Sequence, residues 1–180
     1  MPVSRLRMVR RHFWSYLRGV LRGHPGVRIE SRVKLMGPGT YALAPGCTIS
    51  KGAHLWVGSG ATLTVGKGAK IGARSKVNVG SGVTIGEDVR ISWEVQLLDT
   101  DFHWTTSPSG RRRDHKAPIV IEPKVLVGTR SLVLKGVTVG RGSVVGAGSV
   151  VRRDVPSGTI VAGNPAVEVG QVADWGSAPD

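Results

Sequence analysis

The stretch IVIEPKVLVGTRSLVLKGVTVGRGSVVGAGSVV, residues 119–151, decides the fold. An aliphatic residue returns every six positions, at Ile121, Val127, Val133, Val139, Val145 and Val151, and glycine follows it at Gly128, Gly140 and Gly146. Four positions after each aliphatic stands a small or β-branched side chain: Val125, Ser131, Val137, Ser143, Ser149 and Val155. A period of six matches neither a helix nor a long strand. It matches a chain that turns a corner every six residues and points one aliphatic inward per side. Three sides close a triangular coil of about 18 residues, and coils stack through parallel backbone hydrogen bonds. Glycine after the aliphatic is expected to supply corner dihedrals that cost other residues more.

The pattern runs back through Leu97 and Ile91, Ile85-Gly86 and Val79-Gly80, then Val77, Ile71-Gly72 and Val65-Gly66. Its register slips by two residues at Leu55–Val57, Leu63–Val65 and Val77–Val79, which reads as widened corners. Val27 to Ile49, with Val33, Leu35, Tyr41 and Leu43, is less regular and reads as a degenerate first coil. Two segments stand outside the repeat. Asp99 to Pro118, containing Ser107-Pro108-Ser109-Gly110 and Arg111-Arg112-Arg113, is too polar for a coil core and reads as a protruding loop. Residues 4–22 set Leu6, Val9, Phe13, Leu17 and Leu21 on one face and Arg7, Arg11, Arg18 and Arg22 on another. That is a basic amphipathic helix, stopped by His24-Pro25-Gly26. The expected organisation is a helical arm over 1–25, an all-β coil domain over 26–166 and a tail over 167–180.

Composition agrees with this architecture. The 26 glycines are about twice the usual ~7% share, and two Phe and two Tyr leave Val, Ile and Leu to fill the core. Lys and Arg number 25 against 12 Asp and Glu, a net charge of +13 that favours anionic partners. No nucleic-acid recognition motif accompanies that charge. Cys47 is the single cysteine, so no intrachain disulfide can form and a reducing compartment is the simpler reading. No stretch approaches the ~20 apolar residues of a membrane span. The apolar part of the N-terminal segment is broken by Arg18 and lacks a cleavage site. A cytoplasmic location is expected, with the inner membrane face within reach of the basic helix.

With repeat, loop and C-terminal motif placed, the chain resembles the hexapeptide-repeat acyltransferases, in particular the branch that O-acetylates sugars in polysaccharide and lipopolysaccharide assembly. The resemblance covers residues 30–166. It rests on Ile91-Ser92 leading into Asp99-Thr100-Asp101-Phe102-His103, on Pro118-Ile119, and on Gly136-Val137-Thr138-Val139-Gly140. Gly146-Ala147-Gly148-Ser149-Val150-Val151 and Gly163-Asn164-Pro165-Ala166 complete it. The resemblance implies a left-handed parallel β-helix and a homotrimer with active sites between neighbouring subunits. It implies acetyl-coenzyme A as a co-substrate lying between two prisms, with no permanently bound cofactor. His103 takes the place of the family's general base. Gly128, Ser131, Gly146, Ala147, Asn164 and Pro165 take the places that border coenzyme A. A Lys or Arg usually follows the Gly-Asn-Pro-Ala motif, but Val167 stands here, which leaves Arg152 and Arg153 as candidate phosphate contacts.

Acyl transfer from a thioester needs a base for the acceptor's proton, donors for the tetrahedral oxyanion, and two substrates held together. Histidine suits the first task at neutral pH. Asp101 lies two residues before His103, on the same face of an extended chain, so Asp101 or Asp99 is expected to orient the ring. Trp93, Trp104 and His115 are candidates for contacting the acceptor sugar, the two tryptophans being equally suited to filling gaps between subunits. Ser92 and Ser131 are candidate oxyanion donors, although inward-facing Ser131 better suits a tight corner. A three-histidine zinc site lacks support, because no histidine follows His115. An amino-sugar amine as acceptor stays open, as does a catalytically silent β-helix scaffold. The basic helix has three readings. It docks on anionic lipid, which six arginines and no acid through Arg22 favour; or it caps the open end of the coil and buries its apolar face; or it packs between subunits.

Overall fold

Segments of two to four β-branched residues hold together only when stacked, and the chain stacks them. A computed structural model describes residues 3–176. Helix α1 (Val3–Leu21) precedes a first coil of β1 (Arg28–Ile29), β2 (Lys34–Met36) and β3 (Thr40–Leu43). The second coil is β4 (Thr48–Ile49), β5 (His54–Val57) and β6 (Thr62–Val65), and the third is β7 (Lys70–Ile71), β8 (Lys76–Val79) and β9 (Val83–Ile85). Then come β10 (Arg90–Ile91), β11 (Gln96–Leu98) and β12 (Ile119–Ile121), followed by β13 (Leu126–Val127), β14 (Leu132–Leu134) and β15 (Thr138–Val139). Strands β16 (Val144–Val145), β17 (Val150–Val151), β18 (Thr159–Gly163) and β19 (Ala166–Gln171) close the chain.

Every strand up to β18 pairs in parallel with its counterpart one coil away, which makes three faces. The first face runs β1-β4-β7-β10-β13-β16-β18-β19, the second β2-β5-β8-β11-β14-β17 and the third β3-β6-β9-β12-β15. The fold is the left-handed parallel β-helix that the repeat implies, with one helix at its start and one protruding loop. Register stacks Ile29, Ile49, Ile71, Ile91, Val127, Val145 and Val161 in one inward file along the first face, all buried. Leu55, Val77, Leu97, Val133 and Val151 form the file of the second face, and Val65, Ile85, Ile121 and Val139 that of the third. Cys47 lies in this core at 0% exposure, and burial pushes its thiol up to about 11. The native chain is therefore expected to resist a thiol-reactive disulfide at neutral pH and to titrate one thiol in guanidinium. Rapid stoichiometric labelling without denaturant would contradict that packing.

The structure revises four expectations. The two-residue slips are lengthened sides, not widened corners: β5, β6 and β8 each run four residues and turn both aliphatics of the slip inward. The first coil is not degenerate, since β1, β2 and β3 pair in register with the coil above. Its half-buried Tyr41 accepts from the Met36 N–H at 2.9 Å, and its hydroxyl lies within donating distance of the Leu55 carbonyl. The tail expected from residue 167 is strand up to Gln171, where β19 folds back antiparallel on β18. The Trp175 indole then donates to the Lys124 carbonyl at 2.7 Å.

The fourth revision concerns glycine. Positive φ falls two residues after Gly58, Gly66, Gly72, Gly86, Gly128, Gly140 and Gly146, and at Arg74, Asp88 and Arg130 a non-glycine residue holds it. The glycine following the aliphatic serves a different need. A Cβ on Gly66 would come 2.7 Å from the Glu87 nitrogen, and one on Gly128 would come 2.6 Å from that of Ala147. Glycine is required there because the next coil's backbone passes too closely for a side chain.

Candidate functional site

Strand β11 ends at Leu98 and β12 begins at Ile119. Between them the chain forms a hairpin, with antiparallel bridges Thr100↔Lys116 and Thr106↔Arg112. It closes through a turn in which the Gly110 N–H donates to the Ser107 carbonyl. The hairpin leaves the corner between the second and third faces, and Asp99 forms its root. Asp99 is 0% exposed, and its carboxylate accepts from the backbone N–H groups of Gly80 (2.6 Å), Ser81 (2.7 Å) and Gly82 (2.7 Å) in the coil below. A carboxylate so occupied cannot turn to a histidine. The expectation that Asp99 orients His103 is therefore corrected, and Asp99 anchors the hairpin instead.

Asp101 is also engaged elsewhere. Its Oδ2 stands 2.6 Å from Lys135 Nζ, and the same ammonium donates to the Asp114 carbonyl at 2.5 Å. Lys135, which follows β14 at this corner, thus ties the two limbs of the hairpin to the prism. Among the described residues neither Asp99 nor Asp101 hydrogen-bonds the His103 ring. His103 is exposed, while His115 on the opposite limb is half-buried and its carbonyl accepts from the Asp101 N–H. Phe102, at φ 59°, turns back so that its ring lies 6.4 Å from Trp56 on the second face. Trp104 is 59% exposed and packs beneath the Arg112 guanidinium, 4.7 Å from ring centroid to Cζ.

The candidate coenzyme A contacts divide between two corners. Gly128, Gly146 and Ala147 stack along the corner between the first and second faces, and the Asn164-Pro165 turn between β18 and β19 ends that line. Small residues keep the edge open, and Ala147, Asn164 and Pro165 are exposed. Ser131 does not belong to it: the side chain is 0% exposed and its hydroxyl donates to the Gly146 carbonyl at 2.8 Å. Ser131 thus fills a tight corner, which corrects its assignment to the cofactor and to the oxyanion. Ser92 remains at the edge, its hydroxyl 2.8 Å from that of Thr129. Trp93 lies one coil lower on this corner, 59% exposed, beside Glu94. Hydrogen bonds from Arg130 and then Arg74 hold the Glu94 carboxyl below the usual carboxylate range. Exposed Arg152 and Arg153 follow β17 on the other corner, the one that carries Lys135 and the hairpin root. One chain therefore keeps Trp93 apart from Trp104, and the glycine edge apart from the arginine pair. Sequence reasoning missed Lys135, whose place beside the loop follows only from the register of β14 on β11.

Comparisons with known proteins agree with the fold. Residues 118–153 match the model of the bacterial transferase hexapeptide, six repeats, and residues 62–92 match the hexapeptide repeat of succinyl-transferase. The crystal structure of NeuO, a polySia-specific acetyltransferase, is similar at 30% identity and TM-score 0.79, over 86% of this chain and 72% of that one. The chain belongs to the hexapeptide-repeat acetyltransferases. A hexapeptide-repeat-containing acetyltransferase from Vibrio cholerae is similar to this family member at 31% identity and TM-score 0.60, over 75% of this chain and 73% of that one. AntD, an N-acyltransferase from Bacillus cereus solved with dTDP-4-amino-4,6-dideoxyglucose and coenzyme A, shares the fold at 19% identity, over 82% and 81% of the two chains, with TM-score 0.70. A 2,3,4,5-tetrahydropyridine-2,6-dicarboxylate N-acetyltransferase of Staphylococcus aureus is 41% identical over 58 residues, 32% of this chain. The match spans only 24% of that curated relative's length.

Proposed function

We propose that this chain transfers an acetyl group from acetyl-coenzyme A to a hydroxyl of a sugar or glycan precursor, with His103 as general base. The observation that carries this reading is the placement of His103, exposed on a hairpin that rises beside Lys135, Arg152 and Arg153. The acceptor oxygen attacks the thioester carbonyl, forming a C–O bond, while its proton passes to His103. The tetrahedral oxyanion then collapses, the C–S bond breaks, and the proton leaves with the thiolate as free coenzyme A. Arg152 and Arg153 suit phosphate groups by charge and geometry. Gly128, Gly146 and Ala147 leave room for an extended chain on their corner.

The division of candidates between two corners supports a homotrimer, because a neighbouring copy can bring its glycine edge up to this chain's hairpin. Trp93 of one subunit and Trp104 of the next are then suited to flank one acceptor, with His115 behind them. An amine acceptor is the second reading, favoured by the likeness to a curated N-acetyltransferase over 58 residues. A cytoplasmic site of action follows from the use of acetyl-coenzyme A and the reduced Cys47.

The test is release of free thiol from acetyl-coenzyme A against a panel of neutral sugars, acidic glycans and amino sugars. Release that depends on a hydroxylated acceptor is the expected result. Release with amino sugars alone would move the acceptor to nitrogen, and no release with any acceptor would favour the scaffold.

A further inference from the structure

Helix α1 meets the β-helix with its smallest residues. Ser15 and Gly19 are buried, and a Cβ on Gly19 would come 2.9 Å from the His24 carbonyl oxygen, so the helix lies flush beside β1. The Arg28 guanidinium, 5.9 Å from the Tyr16 ring centroid, adds a contact at its edge. The end of the coil is covered, but not by the large apolar side chains. Val9 and Phe13 are each 62% exposed, Val20 56% and Leu21 76%. At about 100° per residue, Val9, Phe13, Tyr16 and Val20 form one narrow stripe, turned away from Ser15 and Gly19. The expectation that capping buries the helix's apolar face is therefore corrected.

Charge identifies the occupant. Exposed Arg10 stands at the edge of the stripe, Arg18 and Arg22 lie on the polar side of the helix, where Arg22 donates to the Val33 carbonyl at 3.2 Å, and no acid occurs before Glu30. A second copy would bring another arm that carries six arginines and no acid through Arg22 alongside this one. A phosphate-rich surface would neutralise them while its acyl boundary accepts the stripe. No helix among the described residues is long and apolar enough to cross a membrane, so the geometry suits lying on one. We propose that this face of α1 docks on an anionic lipid bilayer, with Val9, Phe13 and Val20 at the acyl boundary and Arg10, at the edge of the stripe, on lipid phosphates. Docking of this kind does not depend on the acyl-transfer reading.

Co-sedimentation of the full chain with phosphatidylcholine vesicles, with and without phosphatidylglycerol, tests it. Binding is expected only with phosphatidylglycerol and is expected to weaken as salt rises. The double variant Phe13→Ser, Val20→Ser should bind about tenfold less tightly or worse, and Arg10→Gln about fivefold less tightly. The mass by light scattering should stay that of the wild type in both variants. The proposal is overturned by absent binding, by equal binding to both vesicles, or by binding that neither variant alters. A loss of mass in the Phe13→Ser, Val20→Ser variant would also overturn it, by placing the face between subunits.

Discussion

Replacing His103 with alanine is expected to lower kcat about 10²–10⁴-fold, the range for loss of a general base, while leaving the thermal midpoint unchanged. The structural half of that expectation follows from exposure: His103 stands on the hairpin without a hydrogen bond to Asp99 or Asp101, so its removal opens no cavity and strands no partner. The chemical half follows from the lack of any competing base in a comparable place. His115 is half-buried on the opposite limb, and Asp101 is held by Lys135. The affinity for acetyl-coenzyme A should be retained, because Arg152 and Arg153 sit on the prism rather than on the hairpin. Thiol-release rates with a working acceptor, beside a binding isotherm, separate the two effects. Turnover within about twofold of wild type would remove His103 from the mechanism, because a general base contributes far more than that.

The second large effect is expected at Asp99, and it is a loss of stability. Asp99→Ala strands three backbone N–H groups, those of half-buried Gly80, Ser81 and Gly82, which point at the fully buried Asp99 carboxylate. Hydrogen bonds to a charged group are worth about 1.5–3 kcal/mol each, and an unsatisfied buried donor adds its own cost. A destabilisation of about 3 kcal/mol or more follows, and for a chain of this size a lowering of the thermal midpoint by roughly 6–12 °C. Asp99→Asn should fall between, since its amide oxygen accepts but its NH2 faces donors. Activity should follow the hairpin's loss of order, falling with the midpoint. A thermal scan beside the rate decides the matter. An Asp99→Asn protein as stable as wild type but slower than wild type by orders of magnitude would return Asp99 to the role of orienting His103.

Much of the fold was legible because an inward side chain every six residues leaves a mark that survives without any contact being known. Ile71, Ile91, Val127 and Val145 sit where the period puts them, in one file. The loop was legible for the converse reason, as the stretch where inward aliphatics stop, between Leu98 and Ile119. Less legible was what happens between coils. The three N–H groups around Asp99 belong to residues 80–82, and only stacking delivers them. Lys135 meets Asp101 because β14 lies on β11, which the chain order hides. Ser131 read better as a tight corner than as an oxyanion donor, and its bond to the Gly146 carbonyl places it in the corner. Gly128 was expected for its dihedrals, whereas the nearness of Ala147 is what excludes a side chain there.

This β-helix is proposed to hold acetyl-coenzyme A for direct transfer. Calorimetry of acetyl-coenzyme A binding to the purified full chain, beside the double variant Arg152→Ala, Arg153→Ala, tests it most directly. The predicted result is a dissociation constant of micromolar order, weakened about tenfold or more in the variant by loss of two charge-assisted phosphate contacts. No detectable heat or competition with acetyl- or longer acyl-coenzyme A would contradict the claim and leave the β-helix as a scaffold.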